Sequence, residues 1–191
     1  MRLAVAFVVI AASGCVRDTA EPFCPALDPG ELVVTEIRGP QEDDDTLGPW
    51  VELYNASGEV SDLRGLTVKF RRRDGSGDIP VMIRSELAVD GDSYAVLGLF
   101  PSDAEPAHVN YGFAADYHVT WLGSAAIDVE SCGTLIDRVI YDPLPTMGSL
   151  SLGTTPPSAT ANDVPTNWCP DALPVDTEYP GTPQQPNHPC P

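Results

Sequence analysis

Positive charge is what this 191-residue chain has least of. Ten Lys and Arg stand against 28 Asp and Glu, giving a formal charge of -18 and an isoelectric point near 4.1. Phosphate backbones are held by clustered cations, so the shortage argues against a general nucleic-acid binder. Long hydrophobic runs are also scarce: none follows the first segment at the roughly 20 residues a membrane span needs. A 3.6-residue period is missing from every window after that segment, and 16 Gly with 20 Pro weigh against a helical bundle. The catalytic signatures are absent too. There is no Gly-x-Ser-x-Gly, no His-Glu-x-x-His, no phosphate loop, no Cys-x-x-Cys and no Cys/His cluster. What the chain does have is 42% hydrophobic residues, enough for one folded domain.

The first fifteen residues read as an address. Arg2 opens a basic start, Leu3 to Ala12 is unbroken apolar sequence, and Ala12-Ser13-Gly14-Cys15 has the small residues of a lipobox before a cysteine. Such a run is too short to span a bilayer and suits a secretory h-region. Residues 1–14 are expected as a lipoprotein signal peptide, Cys15 as the lipidated residue, and 15–30 as a tether extended by Pro22, Pro25 and Pro29. Val16 after Cys15 points to the outer membrane, facing the periplasm or the surface. An ordinary cleaved secretion signal is the alternative.

Five cysteines make an odd count. With Cys15 assigned to lipid, Cys24, Cys132, Cys169 and Cys190 remain, which suits two disulfides in an exported chain and leaves three connectivities.

From Glu31 onward, short apolar and β-branched runs alternate with turn signals. They are Leu32–Ile37, Trp50–Tyr54, Leu66–Arg72, Ile79–Ile83, Ser93–Leu99, Ala126–Val129 and Leu135–Tyr141, the last two joined through Cys132-Gly133. That spacing predicts an all-β sandwich or barrel. Residues 143–191 hold twelve of the twenty prolines, so a long irregular segment without central strands is expected there. Trp168 and two cysteines suggest that it is strapped onto the sandwich, with Cys169 and Cys190 closing the strap. Cys24 is then expected to join the lead into the first strand to the Ala126–Tyr141 hairpin at Cys132. One domain is expected over 31–191.

Several pieces, in order, resemble the bacterial lamin tail domain family. These are Leu32–Ile37 ending in Glu36-Ile37, Trp50-Val51-Glu52-Leu53-Tyr54-Asn55, Asp62–Val68, Tyr94–Gly98, Ile136–Tyr141, Gly148-Ser149-Leu150, Trp168, and Gly181-Thr182-Pro183 followed by Asn187. The likeness is to the lipoprotein-anchored, disulfide-bearing versions in Gram-negative bacteria such as myxobacteria. Leu66 stands where that family usually has Trp, and Gln184-Gln185 where it has Gly-Ala. The resemblance implies an immunoglobulin-like β-sandwich serving attachment or interaction, and little chemistry of its own.

Four features invite a chemical reading. Glu42-Asp43-Asp44-Asp45 could offer oxygens to calcium, but it lacks the EF-hand spacing and is expected as a solvated loop. Glu36 and Glu52 sit inside apolar strands, where paired carboxylates could do acid/base work. A structural role is expected instead, as an ion pair with Arg64, Arg84 or Arg138 or as acceptors for loop backbone. Lys69-Phe70-Arg71-Arg72-Arg73 could bind phosphate or an anionic glycan; protection of a strand edge is the expected role. His108, His118, His188, Trp50, Trp121 and Trp168 are expected in packing or on the rim, and Asn55-Ala56-Ser57 fits a glycosylation pattern that a lipoprotein does not use.

The chain is therefore expected to be a lipid-anchored, monomeric envelope protein that binds an unidentified envelope or extracellular ligand, needs no cofactor and catalyses nothing. A calcium-stabilised polysaccharide binder and a small metal-dependent hydrolase are the alternatives.

Overall fold

The structure is a computed structural model that describes residues 23–42, 45–172 and 181–191. The leader, Cys15, most of the tether, Asp43 and Asp44 lie outside the described residues. The chain is all-β. In order, the strands are β1 Leu32–Arg38, β2 Trp50–Asn55, β3 Ser61–Asp62, β4 Leu66–Arg71, β5 Ile79–Met82, β6 Ala88–Val89 and β7 Tyr94–Gly98. They continue with β8 Tyr111–Gly112, β9 Ala125–Ser131, β10 Thr134–Tyr141, β11 Ser149–Leu152 and β12 Trp168–Asp171. One four-residue helix, α1 Ala159–Asn162, is capped by the Ser158 hydroxyl and runs towards a 3-10 turn at Pro165–Asn167.

Two sheets form the sandwich. The larger has the order β12-β11-β1-β2-β7-β8, the smaller β10-β9-β4-β5, and β3 pairs with β6 as a separate ribbon. Leu32, Val34, Val51, Leu53 and Leu97 of the larger sheet meet Leu66, Val68, Phe70, Ile127 and Val129 of the smaller in one core. Phe70 sits among Phe113, Tyr117 and Trp121, with ring centroids 5.1–5.9 Å away. β4 reads buried and half-buried in strict alternation, so one face meets the core and the other meets water. β1 and β2 are buried at every residue, because the segment after β10 crosses the back of their sheet.

Two expectations change. The proline-rich segment supplies strands: β11 lies inside the larger sheet between β12 and β1, and β12 forms its edge. Ser149–Leu152 contains no proline, and Pro170 falls in the outermost strand, opposite Leu150, where a missing N–H is tolerated. Nor is β4 an edge, since β9 and β5 flank it, so its basic run protects none.

Both disulfides are formed. Cys24 is bonded to Cys132 and Cys169 to Cys190, with Cα atoms 5.6 and 5.7 Å apart. Cys132 and Gly133 take φ of 45° and 87°, the two positive values that a two-residue hairpin turn matching strand twist requires.

Candidate functional site

Two acids occupy the middle of the larger sheet. A bulge between Val34 and Glu36 brings Glu36 opposite Glu52 across the β1–β2 ladder, and both are fully buried. No cation among the described residues reaches them. Arg64, Arg84 and Arg138 pair instead with Asp62, Asp116 and Asp128. The donors come from the far end of the chain and from neighbouring strands. Thr182 N–H and Oγ1 lie 3.0 and 2.8 Å from Glu36 Oε2, Trp50 Nε1 donates to Glu36 Oε1 at 3.0 Å, and Ser151 Oγ lies 3.3 Å from Oε2. Glu52 accepts from Thr35 Oγ1 at 2.8 Å and from Gln184 N–H at 2.6 Å.

Proton counting shows how this cradle is satisfied. Asn187 Nδ2 donates to the Thr35 and Leu152 carbonyls, which fixes its amide with Oδ1 towards Thr182 Oγ1, 2.6 Å away. The Thr182 hydroxyl has one proton and two acceptors beside it. Both are served when Glu36 is protonated and donates to Thr182 Oγ1, which donates on to Asn187 Oδ1. Burial favours that state: it pushes Glu36 above the ordinary carboxylate range and Glu52 well above it, and the closeness of the two acids keeps them from ionising together. Gly181, at φ +99°, completes the closure. A Cβ there would stand 2.7 Å from Glu36 Oε1 and from Ser149 Oγ. The cradle thus holds the protein's own tail, and neither carboxylate faces a cleft.

The acidic loop is a small ion-pair structure as far as it is described. Arg38 reaches both oxygens of Asp45 at 2.9 and 3.0 Å while its guanidinium carbon sits 4.9 Å from the centre of the Trp50 ring. Asp45 also accepts from Leu47 and Gly48 N–H at 3.1 and 3.2 Å. Burial alone would raise its carboxyl, but Arg38 and the loop N–H groups outweigh it and hold it below the usual range. Glu42 lines a recess of about 240 Å³ beside it. Among the described residues no group of three His, Cys, Asp or Glu side chains could hold a metal.

Three of the four cations in the basic run are paired with acids of β9 and of nearby loops. Lys69 pairs with Glu130, Arg71 with Asp128 at 2.9 Å and Asp78 at 3.2 Å, and Arg73 with Asp142. Arg138 grips the other side of Asp128 through Nε and Nη2 at 2.6 and 2.9 Å. Phe70 points into the core. His108 packs edge-on against Trp50, bonds the Leu47 carbonyl at 3.1 Å, and burial lowers its pKa. His188 Nδ1 meets Asp171 at 2.7 Å. Asn55 is buried, with its amide nitrogen donating to the Glu59, Val89 and Asp90 carbonyls, so it offers no glycan attachment point.

Sequence reasoning passed over Asp137 and Asn162. Asp137 Oδ2 accepts from Val34 N–H at 2.8 Å and Asn162 Nδ2 at 2.7 Å, and burial raises its carboxyl to about 6. The available signal was an acid at an inward position of an alternating strand. Beside it the surface is concave. A recess of about 590 Å³ between β10 and α1 meets a second of about 460 Å³ between β10 and the 3-10 turn, and Arg138 and Asp163 line both. No family model matches the chain, and no curated protein matches it.

Proposed function

We propose that this protein is a non-enzymatic binding or structural module of the bacterial cell envelope, held there by lipid on Cys15, with a lamin-tail-like, immunoglobulin-like arrangement of its sandwich. One observation carries the non-catalytic part. Glu36 and Glu52, the pair best suited to acid/base work, are sealed under residues 181–187 and bonded to that segment and to neighbouring strands. A general acid or base must come within hydrogen-bond reach of substrate, and these face only their own chain. The binding part draws support from the trough along β10, a concave stretch made of two adjoining recesses.

The purified protein is expected to leave DNA, glycan and ester substrates intact with or without divalent cations, while retaining isolated envelope material. Turnover that Glu52→Gln abolishes in a folded variant would reverse the reading. Replacing Cys15 by Ser should release the protein from membranes or leave an uncleaved precursor. Unchanged membrane partition would remove the anchor from the proposal.

A further inference from the structure

The two recesses beside β10 form one trough, and its floor and walls are built differently. β10 is the outermost strand of the smaller sheet. Ile136 turns its carbonyl away from β9 to accept from Gly30 N–H at 2.8 Å. Backbone groups alternate sides along a strand, so those of Arg138 and Ile140 face the same outer edge. Outside the ladder with β9, no backbone group among the described residues bonds to either; the Arg138 N–H meets the Asp137 carboxyl, which leaves the Arg138 carbonyl and both Ile140 groups open. The opposite wall carries Asn162, which is 3% exposed. Its Nδ2 is committed to the Val34 carbonyl and Asp137, and its Oδ1 has no partner.

We infer that this trough accepts an extended polypeptide as a strand added to β10, with a basic–x–apolar–x–acidic side-chain pattern. The inference rests on the reading of the protein as a binding module and deepens it by naming the ligand's class. An unpaired strand edge offers N–H and C=O groups at the repeat of another main chain, and the orphaned Asn162 oxygen calls for an N–H donor. The side-chain pattern follows from what the edge displays. Arg138, exposed Ile140 and Asp142 alternate along the outer face. Arg138 spends Nε and Nη2 on Asp128, leaving Nη1 for a ligand carboxylate. An antiparallel neighbour would set its acid beside Arg138, its apolar residue beside Ile140 and its base beside Asp142. A single peptide strand suits a trough walled by 162–168 better than a second folded copy does, since the copy would bring its own wall with it.

The probe is the blocked heptapeptide Thr-Lys-Thr-Val-Thr-Glu-Thr, titrated against the full chain and followed by backbone amide resonances. Saturable shifts are expected at Arg138, Ile140 and Asn162. Ile140→Pro removes an outward N–H but no ladder bond, and should weaken binding about tenfold, whereas Ile140→Thr should stay within about threefold. If the proline variant unfolds, Arg138→Glu serves in its place, and it should prefer the peptide in which Glu is replaced by Lys. Shifts confined to other surfaces would overturn the inference. So would a neutral oligosaccharide that competes equally for the trough, or a dimer of the protein that the peptide does not dissociate. Envelope material retained equally by wild type and Ile140→Pro would sink the trough while leaving the binding module standing. Catalytic turnover would do the reverse.

Discussion

The molecule buries carboxylates in two places and treats them in opposite ways. Asp128, on the outer face of the smaller sheet, is fully covered yet lies between the guanidinium groups of Arg71 and Arg138. Glu36 and Glu52, in the larger sheet, meet no cation among the described residues and rely on N–H and O–H donors from the tail, neighbouring strands and Trp50. In the first setting the charge is kept and balanced. In the second the surroundings favour a proton. A protein with ten cations and 28 acids has few arginines to place inside, and backbone N–H groups cost it none. The lesson is that the tail works as a counter-group for the core, much as an arginine would.

The comparison breaks first at the tail. Deleting residues 181–191 strips donors from both glutamates and opens the Cys169–Cys190 bridge, a loss of about 5 kcal/mol or more, which urea denaturation would read. A loss below about 1 kcal/mol would mean that the tail is only a cover. Next in size is pH. Asp137 moves from 3.8 to about 6 on folding, so the folded state holds its proton more tightly. The stability this contributes is complete below 3.8 and disappears as pH rises through 6, about 3 kcal/mol at most. Glu36 and Glu52 are raised as well, so they slope the same way. Asp45 and Asp116 are lowered and lose their contribution only as pH falls below 3.8, outside that window. Denaturation midpoints should therefore decline as pH rises from about 4, partly offset by His108, whose pKa burial lowers and whose contribution grows as pH rises towards 6.5. Asp137→Asn and Glu52→Gln should each flatten the decline, and parallel profiles for wild type and variants would contradict the assignment.

Smaller effects sharpen the contrast. Asp128→Ala should cost about 1–3 kcal/mol, because it leaves two guanidinium groups facing each other across an empty place. Glu52→Gln, which keeps an acceptor without the charge, should be nearly neutral at pH 7 by thermal unfolding. If the two variants behaved alike, the distinction between balanced and protonated sites would fail. Smallest is Arg73→Ala at the exposed pair with Asp142, expected below about 1 kcal/mol and fading with added salt.

Much of the sandwich was legible because its signals are local. The runs at Leu32, Trp50, Leu66, Ile79, Ser93, Ala126 and Leu135 become strands whose ends shift by one or two residues. β3, β6 and β8 are two-residue pairings that exist only because a partner lies alongside, and no pattern of their own marks them. β11 is half serine, and Ser149 and Ser151 are buried because they stand beside Glu36 and the tail, a polar environment that apolar alternation does not describe. Glu36 and Glu52 were visible as acids in apolar strands, and acceptance of loop backbone was one of the roles expected. What stayed hidden was the donors, 146 and 132 positions away in a segment read as irregular. Arginine looked the natural partner because charge is the one long-range signal that a sequence displays openly.

The two disulfides also set how the molecule bears a load. A pull on the chain ahead of Phe23, opposed at Pro191, enters at Cys24 and crosses at once to Cys132. It crosses again from Cys169 to Cys190. Of the 166 positions between Cys24 and Cys190 the bridges bypass 108 and 21, so only 37 remain able to stretch. At roughly 3.5 Å per extended residue that is about 130 Å of slack. The hairpins of β1–β2 and β4–β5 lie wholly within the bypassed length, and tension would pass around them. The force would fall on β10 and β11, the strands between the two rivets.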